Sequence, residues 1–276
     1  MLQKTLQKHC TLNGIALHSG KESRITFKPA PENHGIIFVR TDLKGPIKIP
    51  ALAEWVDSTQ RGTSLKKDHA KVCVIEHVLS ALNGLGIDNA EIELDSEEPP
   101  ALDGSAQKYV GALKKTGIKE QSAPKQMLEL NSPIIIESKD KLLIAVPHHG
   151  LKVSFMLDFP VIGAQFYSFE AGESDYIKEI APSRTFGFLE EVDELKKQQL
   201  AQGAALENAL VISQEKKSYV NAPRFENEPV RHKILDLIGD LALCGFGVQA
   251  HIIAIKSGHA LNVELAKKIR TLGVKI

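Results

Sequence analysis

Residues 229–271 read PVRHKILDLIGDLALCGFGVQAHIIAIKSGHALNVELAKKIRT, and this stretch decides the fold. Pro229 opens a helix expected to run to Cys244, where Gly245 and Gly247 stop it. A strand follows over 251–255, then the turn Ser257-Gly258, then a last helix over 260–271. The first half of the chain ends the same way. A helix is expected over 72–83, closed by Gly84 and Gly86. The alternating strand Ala90-Glu91-Ile92-Glu93-Leu94 comes next, then a loop with Pro99, Pro100 and Asp103-Gly104, then a helix near 105–115. The endings share a pattern rather than a sequence, which suggests a repeated unit. The expectation is an α+β fold of two related lobes, each a helix layer packed on a β-sheet, with the active site in the cleft between them.

Further out, short β-type runs lie at 25–27, 36–39, 134–136, 142–146 and 153–157, and helical spacing spans 189–200. The polar stretch 119–126, with Pro124, reads as a linker, so the lobes are expected at 1–124 and 125–276. The 276 residues suffice for a sizeable core. Lys plus Arg equals Asp plus Glu at 34 each, so no net field favours nucleic acid or an anionic membrane. The three cysteines, Cys10, Cys73 and Cys244, form no CxxC pair, which argues against a disulfide framework or a thiolate metal site. The first residues carry no apolar run of signal-peptide type, and no run nears the ~20 apolar residues of a membrane span. A cytoplasmic monomer acting on a small molecule is expected, with at most weak contact to a membrane surface.

The helix after Pro229 places Val230, Ile234, Leu235, Leu237, Ile238 and Leu241 on one side. His232, Asp236 and Asp240 recur every four residues on the other. A solvated face more often mixes Lys, Glu, Gln and Ser. His and Asp one turn apart make a two-donor chelate. In the first-half helix, Glu76 and His77 are ionisable residues among Val74, Ile75, Val78 and Leu79, and a buried charge is costly unless paired or bound to metal. His77 with His232 and Asp236 would make a set of two imidazoles and one carboxylate, suited to catalytic zinc and also to non-haem iron. Glu76 would then take the proton of the attacking water. His259 begins the last helix and would need a carboxylate such as Asp240 to stay protonated. Lys256 beside Ser257-Gly258 fits a phosphate at a helix start. A structural metal site would more often have four ligands, cysteines among them, which speaks against a binding module.

Several segments carry a resemblance: residues 14–20 (GIALHSG), 75–77 (IEH), 102–105 (LDGS), 184–188 (RTFGF), 224–228 (RFENE), 230–240 (VRHKILDLIGD) and 256–262 (KSGHALN). In this order they resemble the UDP-3-O-acyl-N-acetylglucosamine deacetylases of bacterial lipid A synthesis. The resemblance implies a zinc (Zn2+) amidohydrolase, with His77, His232 and Asp236 as ligands and Glu76 activating water. It implies His259 as acid or charge stabiliser oriented by Asp240, and Thr185 donating to the oxyanion. Lys233, Lys256, Phe186, Phe188 and His18 would contact substrate, and an insert near 186–213 would take the acyl chain. Two places depart from the family pattern: Ala16, where glycine is common, and Gln202-Gly203-Ala204-Ala205, where Gly-Gly-Ser is usual. Arg61 carries no role on this reading. Hydrolysis of another amide or ester by the same metal set is the alternative activity.

Overall fold

The computed structural model describes residues 1–172 and 174–276. Two sheets built on one plan dominate it. In the first half the strands lie in the order Cys10–Ile15, Glu22–Pro29, Ala90–Leu94, Ile36–Arg40, Ile47–Pro50. In the second half the matching order is Ile134–Ser138, Lys141–Val146, Gly247–Ile255, Leu151–Phe159, Gly163–Glu170. In each the central strand is antiparallel to one neighbour and parallel to the other. The pairing thus supports the duplication suggested by the two similar endings. Met127–Glu129 and Val274–Lys275 extend the second sheet to seven strands.

The helices are α1 (Glu76–Gly84), α2 (Gln107–Thr116), α3 (Tyr176–Glu179), α4 (Val192–Lys197), α5 (Glu228–Leu241) and α6 (His259–Leu272). α1 and α5 precede the central strands of the two sheets and pack against each other. Residues 76–82 of α1 are all buried, and so is most of α5. Ile25, Phe27, Phe38 and Ile92 from one sheet, and Leu143, Val153, Phe155 and Ile252 from the other, belong to the core. Burial of both helices explains the apolar neighbours Val78 and Leu79 in α1 and the apolar side of α5 that carries Val230, Ile234, Leu235, Leu237, Ile238 and Leu241.

Three expectations change. The first long helix begins at Glu76 rather than at 72, because Ala70–Val72 pairs as a strand with Ser64–Lys67 and the Cys73 N–H bonds the Glu97 carbonyl. Val74 then sits at φ 54°, a conformation that β-branched residues rarely hold. The stretch 119–126 is no linker: Ile118–Pro124 pairs antiparallel with Leu2–Leu6 as the more exposed strand of a two-stranded ribbon. Over 189–200 the chain makes a 3-10 turn at Leu189–Glu191 and then the short α4, which ends before Gln199 (φ 59°).

Candidate active site

The site begins with a close approach. Gly239 of α5 faces the backbone of Glu76 so tightly that a Cβ there would lie 2.1 Å from the Glu76 carbonyl oxygen. Only glycine allows this contact. It brings the first turn of α1 against the middle of α5, so that Glu76 and His77 meet His232, Asp236 and Asp240.

His77, His232 and Asp236 each offer a donor atom, all within 4.8 Å of one another and all buried. Asp236 Oδ1 lies 3.2 Å from His232 Nε2 and 3.8 Å from His77 Nε2. That oxygen is buried without a hydrogen-bond partner. Such an atom is costly unless something positive sits there, so this donor set fits a metal ion. The protonation states agree. Burial, with the neighbouring His232, pushes His77 down to about 3, and burial also lowers His232. Burial alone would raise Asp236, but His232, Lys233 and His259 outweigh it and hold the carboxylate ionised. Neutral imidazoles and a carboxylate are the metal-binding forms. His232 Nδ1–H donates to the Ser183 carbonyl at 3.1 Å, which turns Nε2 towards Asp236.

Around this set runs a second network. Glu76 Oε2 accepts the Thr63 N–H at 2.9 Å. The Thr63 hydroxyl donates to Asp240 Oδ1 at 2.6 Å, and His259 Nδ1–H donates to Asp240 Oδ2 at 2.9 Å. Asn262 donates to the same Oδ2. His259 Nε2 then faces the cleft, 4.0 Å from Glu76 Oε1 and 3.9 Å from Asp236 Oδ2. Burial raises Glu76 to about 7; nearby His259 opposes this, while Asp236 and Asp240 add to it. Burial pulls His259 down, but Asp240, Glu76 and Asp236 push it up to about 9. A carboxyl near 7 beside an imidazole near 9 can exchange protons close to neutral pH.

The remaining candidates are spread around the cleft. Phe186 stacks edge-on against His232 at 6.1 Å, and Phe188 packs on Phe159. Thr185 is half-buried, its N–H bonded to the Gly104 carbonyl. Lys233 Nζ donates to Asp236 Oδ2 at 2.7 Å. Lys256 pairs with Asp140 and Asp158 at 3.4 and 3.6 Å. Both ring nitrogens of His18 bond backbone groups, of Arg61 and Ala201. Arg61 pairs with Glu191 at 3.1 Å. Thr63, which bonds Glu76 and Asp240, and Asn262, which bonds Asp240, carry no charge or periodicity that marks them in the sequence. A cavity of about 490 Å³ opens at the C-terminal ends of α1 and α5, beside His34, Asp88, Lys125 and Arg270, and is lined by none of the candidate site residues.

Residues 3–271 match a family described as UDP-3-O-acyl N-acetylglycosamine deacetylase. A UDP-3-O-acyl-N-acetylglucosamine deacetylase of Myxococcus xanthus is 44% identical over 269 residues, covering 97% of this chain and 86% of that protein. One from Idiomarina loihiensis is 41% identical over 272 residues, covering 97% and 89%. A Coxiella burnetii protein of the same name is 40% identical over 271 residues, again 97% and 89%.

Proposed function

This chain belongs to the UDP-3-O-acyl N-acetylglycosamine deacetylase family, and from that membership we propose how its own residues carry out the reaction. The reaction is hydrolysis of the N-acetyl group of a UDP-3-O-acyl-N-acetylglucosamine, giving the free amine and acetate, an early step of lipid A biosynthesis. The observation that carries the assignment of residues is the partnerless Asp236 Oδ1 facing two imidazole nitrogens, with Glu76 and His259 beside it.

His77, His232 and Asp236 would hold one zinc ion, three protein donors that leave a position open for chemistry. When bound, the ion supplies Lewis-acid polarisation of the acetamide carbonyl and acidifies the attacking water. Glu76 takes the water's proton at Oε1, since Oε2 is occupied by the Thr63 N–H. His259, held cationic by Asp240, stabilises the negative charge that develops, and the Thr185 hydroxyl donates to the oxyanion. The departing amine takes its proton from Glu76 or His259, whose facing atoms lie 4.0 Å apart. Lys233 and Lys256 contact the sugar and diphosphate; the exposed pairs of Lys256 with Asp140 and Asp158 are weak and exchange readily for a phosphate. Phe186, Phe188 and His18 border the substrate, and residues 186–213 receive the acyl chain. The lobe division at 124/125 belongs to the same reading. So does a cytoplasmic monomer; three free cysteines suit a reducing compartment, and among the described residues no helix is long and apolar enough to cross a membrane.

Comparison of the acylated UDP-amino-sugar with its unacylated parent tests the function. The hydrolysed acetyl is small, so discrimination comes from remote groups. At roughly 0.8 kcal/mol per buried methylene, a few of them lower kcat/KM for the parent by about a hundredfold. Ala204→Leu should lose activity mainly on longer chains. Equal rates on both substrates would favour a general amidohydrolase.

The pH profile tests the His259–Asp240 pair. Asp240→Asn removes a negative neighbour that favours the imidazolium, so His259 titrates below its value of about 9. The basic limb of the rate profile should therefore move to lower pH. An unmoved limb assigns that titration to another group.

A further inference from the structure

We propose that Glu98 is a positioning residue for this reaction, holding the acyl-binding insert against the loop that carries the general base's partners. The inference rests on the reading that residues 186–213 receive the acyl chain. Glu98 is 3% exposed and shares the wall of a small internal void with His77, Leu17 and Tyr109. Its carboxylate accepts two successive backbone N–H groups, His18 at 2.8 Å and Ser19 at 2.9 Å. Its own carbonyl accepts the Ser23 hydroxyl at 2.6 Å. A buried carboxylate solvated by neighbouring N–H groups of one turn fixes that turn, because moving either leaves a charge unpaired.

The turn so held carries His18, whose ring joins segments from both halves of the chain. Nε2–H donates to the Arg61 carbonyl at 3.0 Å, and Nδ1 accepts the Ala201 N–H at 3.3 Å. On one side, Arg61 stands two residues before Thr63, the residue bonded to both Glu76 and Asp240. On the other, Ala201 begins a turn of the insert whose next two N–H groups return to the same loop. Gln202 bonds the His18 carbonyl and Gly203 the Leu17 carbonyl, each at 3.0 Å. The contact is backbone on backbone: a Cβ at Gly203 would lie 2.1 Å from the Ala16 carbonyl oxygen. Ala16 and residues 202–205, the two departures from the family pattern, are therefore the two faces of one contact. Hydrogen bonds run from Glu98 through His18 to the insert in one direction and to the Arg61 carbonyl, two residues before Thr63, in the other.

The experiment measures kcat and KM on the acylated UDP-amino-sugar and on its unacylated parent, for metal-loaded wild type, Glu98→Ala, Glu98→Gln and Gly203→Ala. Losing two charge-assisted hydrogen bonds should lower the ratio of kcat/KM, acylated over parent, by about tenfold or more in Glu98→Ala. The loss should appear in KM for the acylated substrate, with the rate on the parent little changed. Glu98→Gln keeps one acceptor and should fall between. Gly203→Ala opens the same contact from the insert side with Glu98 intact and should lower the same ratio. Glu98→Gln, the milder change, decides the matter where Glu98→Ala does not fold. An unchanged ratio, or equal losses on both substrates, overturns the positioning role. A wild type that ignores the acyl chain overturns the acyl-passage reading as well, and that result is visible before any variant is made.

Discussion

Replacing His232 with alanine removes the metal and the activity together. His232 Nε2 is one of three donors around a single point, and the two left, His77 and Asp236, come from different halves of the chain. The Asp236 oxygen without a hydrogen-bond partner already marks the place where positive charge is missing. With one imidazole gone, two donors hold an ion poorly against water and chelators. Metal analysis of the purified variant should find little zinc beside roughly stoichiometric wild type. The deacetylation rate should fall by a factor of about 10³ or more, since Lewis-acid polarisation and water activation go with the ion. A variant that retains its full metal content would place the ion elsewhere and dissolve the ligand assignment.

Replacing Glu76 separates base from ligand. Glu76 adjoins His77 in sequence, yet successive helical side chains point about 100° apart, and the three donors form their cluster without it. Glu76→Ala should keep the metal and lose rate by a factor of about 10² to 10⁴, the usual worth of a positioned general base. It also strands the Thr63 N–H, so Glu76→Gln, which keeps an acceptor for that group, is the cleaner variant. Both should keep the metal, and Glu76→Gln should also melt close to wild type. Near wild-type turnover in Glu76→Gln would shift the base role to His259.

Much of this site was legible in the sequence because its chemistry is concentrated in charged residues on apolar helices. His77 among Val74, Ile75, Val78 and Leu79, and His232, Asp236 and Asp240 on one stripe, stand out against their neighbours. The repeated helix, strand, helix endings were legible for the same reason: both central strands and both long helices are buried and carry strong patterns. The unread parts are those where tertiary contacts override pattern. Residues 72–75 are apolar enough to read as helix, but pairing with Ser64–Lys67 and the unusual backbone at Val74 delay the helix to Glu76. Ile118–Pro124 is the strand of a two-stranded ribbon that buries no residue, so no apolar alternation betrays it. Glu98 and Thr63 act through backbone groups, whose partners no residue type announces.

The duplication has a consequence for the life of the chain before it is fully folded. The donors of the proposed ion are split between α1 of one half and α5 of the other, and Thr63 of the first half hydrogen-bonds both Glu76 of its own half and Asp240 of α5 across the same division. Neither half can assemble a working centre alone, however well its own sheet has formed. A nascent or damaged chain whose halves have not docked is therefore inert towards acetamides rather than weakly and indiscriminately hydrolytic. Catalytic competence in this architecture is a report that the whole molecule has been built.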